Sequence, residues 1–490
     1  MIEIQNVSFT YNQTDTPSLS GINISIQEGE CVLLCGKSGC GKTTMTRLLN
    51  GMIPDFYDGT LDGQIRINGI SPINCSMYEI SKIVGTVFQN PRTQFYTVNT
   101  TSEIAFGCEN HGWPPEQIYR RVMQVAADLH MEELLNRNIF ELSGGEKQKV
   151  AFASIYALNP DVYVLDEPSS NLDYFAIREL QAILELLKKQ GKTILLAEHR
   201  TWYLEHLVDR AFYMEQGKII SEYSMQELAD FTVQKRMETG IRPVRLASFT
   251  IPHKEPVPSL HTLSMQNIRF AYQKQTVLKI NQAVFHAGRI TAIIGKNGAG
   301  KSTFVSVLCG IMKNQKGNIY LDEAEVSPKK RISTSYMVMQ EVNHQLFMDS
   351  VEEEILLGVE EPSEEQLNKV LLQMDIAELR ECHPMTLSGG QKQRVAIGAA
   401  VFCGKTILVF DEPTSGLDFS HMMQTARLVE QLKSPDVFIF VITHDYEFIL
   451  SVCDGVVEIE NGTLKNNYSL DYAGLQKLKK FYSIDVDNII

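Results

Sequence analysis

Two short apolar runs, Cys31–Cys35 (CVLLC) and Ile290–Ile294 (ITAII), each stop at a glycine-rich stretch. Apolar residues then resume at helical spacing, from Met45 to Leu49 and from Phe304 to Leu308. A short apolar run followed by a turn and a helical period predicts a buried strand, a loop and a helix. Upstream, Ile2, Ile4, Val7 and Phe9 alternate with polar residues, as do Met265, Ile268 and Phe270, and alternation predicts half-buried strands. Between these landmarks, Ile118, Val122, Val125 and Leu129 form one apolar stripe, and Leu367, Val370, Leu371 and Met374 form its counterpart. Each predicts a helix with one buried face. Further apolar runs, VYVLDEP and ILVFDEP, then ILLAEH and FVITHD, predict more strands ending in acids or histidine. The pattern therefore predicts an α/β fold built twice.

The repeat fixes the layout. Lys42 recurs as Lys301 at an offset of 259 residues and Gln89 as Gln340 at 251. Ser143, Asp166 and His199 recur as Ser388, Asp411 and His444, each at 245. A constant spacing over the later landmarks means two copies of one domain, expected over 1–224 and 262–490. The connecting stretch, 225–261, carries Pro243, Pro252, Pro256 and Pro258, which disfavour helix and central strand and predict a linker laid over the surface.

The glycine-rich stretches read GKSGCGKT and GKNGAGKS and fit G-x-x-x-x-G-K-[ST]. In that pattern backbone N–H groups wrap phosphate oxygens, Lys42 or Lys301 reaches the outer phosphates, and Thr43 or Ser302 holds Mg²⁺. The loop residues are Gly36, Lys37, Ser38, Gly39, Cys40, Gly41 and Thr44 in the first copy, and Gly295, Lys296, Asn297, Gly298, Ala299, Gly300 and Thr303 in the second. Tyr11 and Tyr272 precede them, and an aromatic ring there offers a face for a nucleotide base. Ser143, Gly144, Gly145 and Glu146, and likewise Ser388, Gly389, Gly390 and Gln391, start helices whose amides face an anion. Asp166 with Glu167, and Asp411 with Glu412, end apolar strands: one carboxylate suits the Mg²⁺ shell, the other an attacking water.

The totals narrow the function. The 490 residues exceed one ordinary core, and the formal net charge of −14 counts against a protein that coats nucleic acid. Nine cysteines with no C-x-x-C pair fit a reducing compartment and neither a disulfide frame nor a zinc site. Cys35 and Cys40 beside the loop are either oxidation-sensitive or small buried hydrophobes, the latter being the commoner role of such residues. The start, MIEIQNVSFTYNQ, lacks a signal-peptide pattern, and no run reaches the roughly 18 apolar residues of a membrane span. A cytoplasmic chain is expected, with membrane work delegated to a partner.

Phosphate loop, Gln89 or Gln340, SGG segment, paired acids, the turn ending at Asp173 or Asp418, and His199 or His444 follow one order in both halves. That order resembles the nucleotide-binding domains of ATP-binding cassette (ABC) proteins. The resemblance implies a RecA-like core and a helical subdomain in each copy, with ATP and Mg²⁺ bound. It implies catalytic bases at Glu167 and Glu412, γ-phosphate switches at His199 and His444, and Gln89 and Gln340 sensing metal and water. It also implies head-to-tail closure of the halves, each ATP lying between one loop and the other half's signature segment, with Asp173 and Asp418 beside it. Two hydrolytic sites are expected. Glu146 in place of the usual Gln and Asn171 in place of Gly are departures that could make the sites unequal.

FQNPRTQFYTVNTTSEIAFGCEN around Gln89, and VNHQLF with SVEEEILLG in the second copy, are similar to ATPases of energy-coupling-factor (ECF) importers for vitamins or transition metals. Their implied partners are an integral membrane coupling protein and a small membrane substrate-binding subunit, placing the chain on the cytoplasmic face of the membrane. Glu352, Glu353 and Glu354 are candidates to meet basic coupling helices, or else a solvated helix start. A sugar-type importer ATPase is the closer rival. A soluble translation factor would need a long charged helical linker, and a DNA-repair ATPase coiled-coil or zinc insertions.

Overall fold

The computed structural model describes residues 1–249, 257–272, 275–312, 315–359 and 361–484. The chain forms two compact units: Met1–Leu246 with Gly416–Ser420, and Ala247–Ser415 with His421–Ile490.

In the first unit, β1 (Ile2–Tyr11), β2 (Leu19–Ile26) and β4 (Gly59–Ile67) form an antiparallel sheet in the order β2-β1-β4. The strands β3 (Cys31–Cys35), β5 (Val84–Val87), β6 (Val162–Asp166), β7 (Thr193–Ala197), β8 (Arg210–Glu215) and β9 (Lys218–Tyr223) build a second sheet, β5-β6-β7-β3-β8-β9. Its pairs are parallel except β8 with β9. Every residue of β3, β6 and β7 is buried, as expected where both faces of a parallel sheet are covered. Ile2, Ile4, Val7 and Phe9 share one core with Val32, Leu34 and the helix Lys42–Leu49. Val122, Val125 and Leu129 of the first stripe join Ile104 and Val150, so the helices Thr100–Asn110, Pro115–Asp128 and Gly144–Leu158 pack as a group.

The second unit repeats this order. A sheet of ten strands runs β14-β13-β10-β11-β19-β18-β12-β17-β16-β15. Its members are β10 (Thr262–Tyr272), β11 (Gln275–His286), β12 (Ile290–Ile294), β13 (Lys316–Leu321), β14 (Ala324–Glu325), β15 (Ser335–Val338), β16 (Ile407–Asp411), β17 (Phe438–Ile442), β18 (Gly455–Glu460) and β19 (Thr463–Ser469). The antiparallel and parallel portions meet where Lys279 of β11 pairs with Thr463 of β19. Leu367, Val370, Leu371 and Met374 are buried as their stripe predicts.

Past residue 224 the chain is not simply a linker laid over the surface, although most residues from 226 to 238 are exposed or half-buried. Helices Met225–Ala229 and Val233–Thr239 belong to the first unit, and Ile241, Arg242 and Val244 are buried. Pro243 rules out regular structure locally, but the apolar side chains around it gain more from burial than from exposure. Pro252 and Pro256 lie outside the described residues.

Candidate nucleotide sites

Each phosphate loop joins a strand to a short helix, the fully buried β3 to Lys42–Leu49 and β12, buried except at Thr291, to Lys301–Leu308. Glycine is required where each loop begins. Gly36 has φ 142, and a Cβ there would stand 2.2 Å from the Met214 carbonyl oxygen; Gly295, at φ 151, would meet the Ile459 oxygen at 2.2 Å. Lys42 is buried, its Nζ donating to the Gly36 and Lys37 oxygens at 3.0 and 3.1 Å. Lys301 makes the same bonds to Gly295 and Lys296, at 2.8 and 3.1 Å. Both ammonium groups are thus held at the mouth of a ring of backbone amides, a cradle fitted to phosphate oxygens.

Asp166 lies at the end of β6, where its Oδ1 accepts from Thr43 Oγ1 at 3.2 Å. Burial, reinforced by the neighbouring Glu167, raises its pKa to about 6. Asp411 is raised too, by burial, with Lys301 opposing the shift. Paired hydroxyl and carboxylate oxygens are hard donors and fit a divalent cation such as Mg²⁺. Among the described residues there is no cluster of three or more His, Cys, Asp or Glu that could hold a metal by itself.

Glu167 and Glu412 both sit in the left-handed region, φ 44 and 47, at the turn after the strand. That conformation is strained for a non-glycine residue, and the strain aims each carboxylate toward the next strand's end. His199 Nε2 stands 3.4 Å from Glu167 Oε1, outside hydrogen-bonding geometry, and finds no other partner among the described residues. A buried nitrogen left that way is suited to an incoming oxygen. His444 Nε2 is likewise 3.4 Å from Glu412 Oε1 and 3.2 Å from Asn297 Oδ1. Gln89 donates to Glu167 Oε2 at 2.6 Å, and Gln340 follows β15 as Gln89 follows β5.

Ser143 and Ser388 cap the helices Gly144–Leu158 and Gly389–Phe402 through reciprocal capping boxes with Glu146 and Gln391. Glu146 also pairs with Arg137 at 3.1 Å; although burial works the other way, the Ser143 and Arg137 bonds keep its pKa below the usual carboxylate value. Asp173 caps the helix Tyr174–Lys189. Asp418 belongs to the first unit, where its Oδ2 accepts from the Ser38 amide at 2.8 Å. Gly240 lies against Lys37 and Asp418, so the segment read as linker helps to frame the loop.

Tyr11 is half-buried with its hydroxyl 3.2 Å from Thr44 Oγ1, whereas Tyr272 is exposed and donates to the Met312 sulfur at 3.9 Å. The Cys35 and Cys40 thiols are buried; burial pushes Cys35 up to about 12 and raises Cys40, so both stay as protonated, unreactive thiols. The acids at 352–354 are not a free acidic patch. Glu354 is buried and accepts from the Phe347 and Met348 amides at 2.8 and 2.9 Å, and Glu352 pairs with Arg380. Glu353 alone among them is exposed.

Sequence reasoning missed Glu198. Buried beside His199, it accepts from the His199 and Ser169 amides at 2.7 and 3.2 Å and from the Tyr203 hydroxyl at 2.8 Å. Arg200 holds the Ser169 and Leu172 carbonyls, both at 3.1 Å. The one available signal was a charged triplet, EHR, directly after an apolar strand.

Two phosphate cradles, each with an acid pair and a histidine on adjacent parallel strands, define a tandem P-loop nucleotide-binding protein. The ABC transporter family pattern matches residues 19–170 and 278–415. A putative ABC transporter ATP-binding protein of Treponema denticola is 45% identical over 470 residues, 95% of this chain and 96% of that protein. The putative HMP/thiamine import ATP-binding protein YkoD of Bacillus subtilis is 30% identical over 495 residues, 94% and 90% of the two chains. In fold, an archaeal ribosome recycling factor solved with a ribosomal stalk protein superposes with a TM-score of 0.67 at 21% identity, over 98% of this chain and 94% of that one. The chain belongs to the ABC transporter family of ATP-binding proteins, with two tandem ATPase domains. No helix among the described residues is long and apolar enough to cross a membrane.

Proposed function

We propose that this ATPase is the energy-coupling subunit of an ECF-type membrane importer for a vitamin or a transition-metal ion, with both ATP sites hydrolytic. The observation that carries two active sites is the matched acid–histidine pair, Glu167–His199 and Glu412–His444, each at 3.4 Å. The importer reading is supported by the FQNP and EIAFG segments and by the import function in the name of the Bacillus subtilis relative. Large apolar side chains exposed near the Gln segments, Tyr96, Phe140 and Phe347, support docking on a hydrophobic partner.

In this reading Lys42 and Lys301 hold the outer phosphates, Glu167 and Glu412 take a proton from the attacking water, and His199 and His444 grip the γ-phosphate. Thr43 with Asp166, and Ser302 with Asp411, would hold Mg²⁺, which would supply charge neutralisation at the phosphates. Gln89 and Gln340 orient the water. The same reading pairs the halves head to tail around two ATP molecules, an arrangement that hydrolysis releases. The test is a mild-detergent pull-down of tagged protein from its native membranes. A hydrophobic coupling protein with a small membrane subunit is expected; ribosomal proteins without a membrane partner would overturn the importer reading and leave the ATPase intact.

A further inference from the structure

The two nucleotide sites differ in how the aromatic residue beside the loop is held. Arg47, on the helix that follows the first loop, donates from its guanidinium to the Tyr11 hydroxyl at 3.0 Å. The same guanidinium lies over the Tyr57 ring, 4.0 Å from its centroid. Tyr11 meets the edge of Phe9 at 4.8 Å and that of Tyr57 at 6.3 Å between centroids, nearly perpendicular in both cases. With the Thr44 contact at 3.2 Å, the ring is fixed on several sides and tied to the loop itself. In the second copy the residue five after the loop lysine is Ser306, whose hydroxyl donates to its own helix at Ser302, 2.7 Å away. The stretch CGIMKNQK after that helix has no aromatic residue to match Tyr57. Tyr272 meets the edge of Phe270 at 5.0 Å between centroids and donates to the Met312 sulfur, but it lacks the guanidinium and second tyrosine that hold Tyr11 and is 46% exposed.

We propose that Arg47 is a positioning residue that locks Tyr11 as a preformed base platform, so that the first site binds nucleotide more tightly than the second. This rests on the ATPase reading of both sites. The physical reason is preorganisation: a ring already held does not lose rotamer freedom on stacking, while an exposed ring does. A charge-assisted bond from the guanidinium to the Tyr11 hydroxyl, together with cation–π contact to Tyr57, supplies the hold. Arg47 hydrogen-bonds to Tyr11 and its charge also lowers the Asp166 pKa, a field that Arg47→Lys retains, so the part of its contribution specific to ligands that carry a base is the loss for MgATP beyond that for tripolyphosphate.

The test isolates the first site in the full-length chain by Lys301→Ala and titrates MgATP and inorganic tripolyphosphate. Arg47→Ser should weaken MgATP about three- to tenfold, the loss expected of one or two such contacts, with tripolyphosphate, titrated with the same Mg²⁺, weakened far less. Tyr57→Leu should show the same pattern in smaller degree, and Arg47→Lys should restore part of the affinity. In the mirror background, Lys42→Ala, Ser306→Ala should leave MgATP binding at the second site as it was. Equal loss for MgATP and tripolyphosphate in Arg47→Ser would overturn the proposal and make Arg47 a phosphate contact. So would unchanged MgATP affinity in a variant that melts like its parent. A parent protein that binds neither ligand would refute the ATPase reading instead.

Discussion

Gln89 donates through Nε2 to Oε2 of Glu167 across 2.6 Å, joining the end of β5 to the end of β6. The residue that sequence order placed as a sensor of metal and water therefore touches the acid placed as the base. That contact holds one carboxylate oxygen while His199 faces the other at 3.4 Å. Glu167→Gln with Glu412→Gln keeps the shape and removes the proposed base at both sites. Phosphate release should fall at least about 100-fold with ATP still bound. Substantial residual turnover would show that neither glutamate is the base.

Gly36→Ala places a methyl 2.2 Å from the Met214 oxygen at a φ of 142 that alanine avoids. The loop has to move, at a cost of about 1–3 kcal/mol for the strained backbone alone. A lower melting temperature and lost nucleotide binding at the first site are expected. A variant that melts and binds ATP as the parent does would mean the loop has slack the geometry does not show.

Glu103 is buried and accepts from the Tyr96 amide and from the Thr97 amide and hydroxyl, the last two at 2.8 Å. Glu103→Leu orphans those donors and should destabilise by about 1–3 kcal/mol per unsatisfied group in denaturant titration. Amide exchange should quicken at residues 94–98, while the ATP affinity of the folded protein is retained. Unchanged exchange there would mean that the carboxylate does not anchor the segment.

His261 bonds through Nδ1 to Asp322, and its Nε2 lies 3.4 Å from Asp436, while Asp322 also takes the Thr262 amide at 2.8 Å. The Asp322 bond raises the His261 pKa; the Thr262 amide and His261 lower that of Asp322. The histidine contribution is complete below its unfolded value of about 6.5 and is lost as pH rises through the higher folded value. The aspartate contribution is present above its unfolded value of about 3.9 and is lost as pH falls through its depressed one. His261→Asn should therefore melt lower than the parent at pH 6, by at most about 4 °C for a half-exposed pair, and converge with it at pH 9. A gap that widens toward pH 9 would contradict the charged pair.

The sequence alone determined the doubling of the chain, the α/β class, the two phosphate loops and the acids that follow them. Those features are local: a buried strand needs a continuous apolar run, and a loop that wraps phosphate needs glycines at fixed spacing, so periodicity and motif order reveal them. Tertiary structure decided what depends on residues distant in the chain. Only folding shows that Arg47 clamps Tyr11 and Tyr57, that Glu198 and Tyr203 brace the His199 turn, and that Glu354 spends its charge on two amides. The prolines before the second domain likewise forbid regular structure but do not say whether Ile241 and Val244 are covered. Burial and pairing are set by the side chains that a fold brings within contact, and no local pattern of polarity encodes those partners.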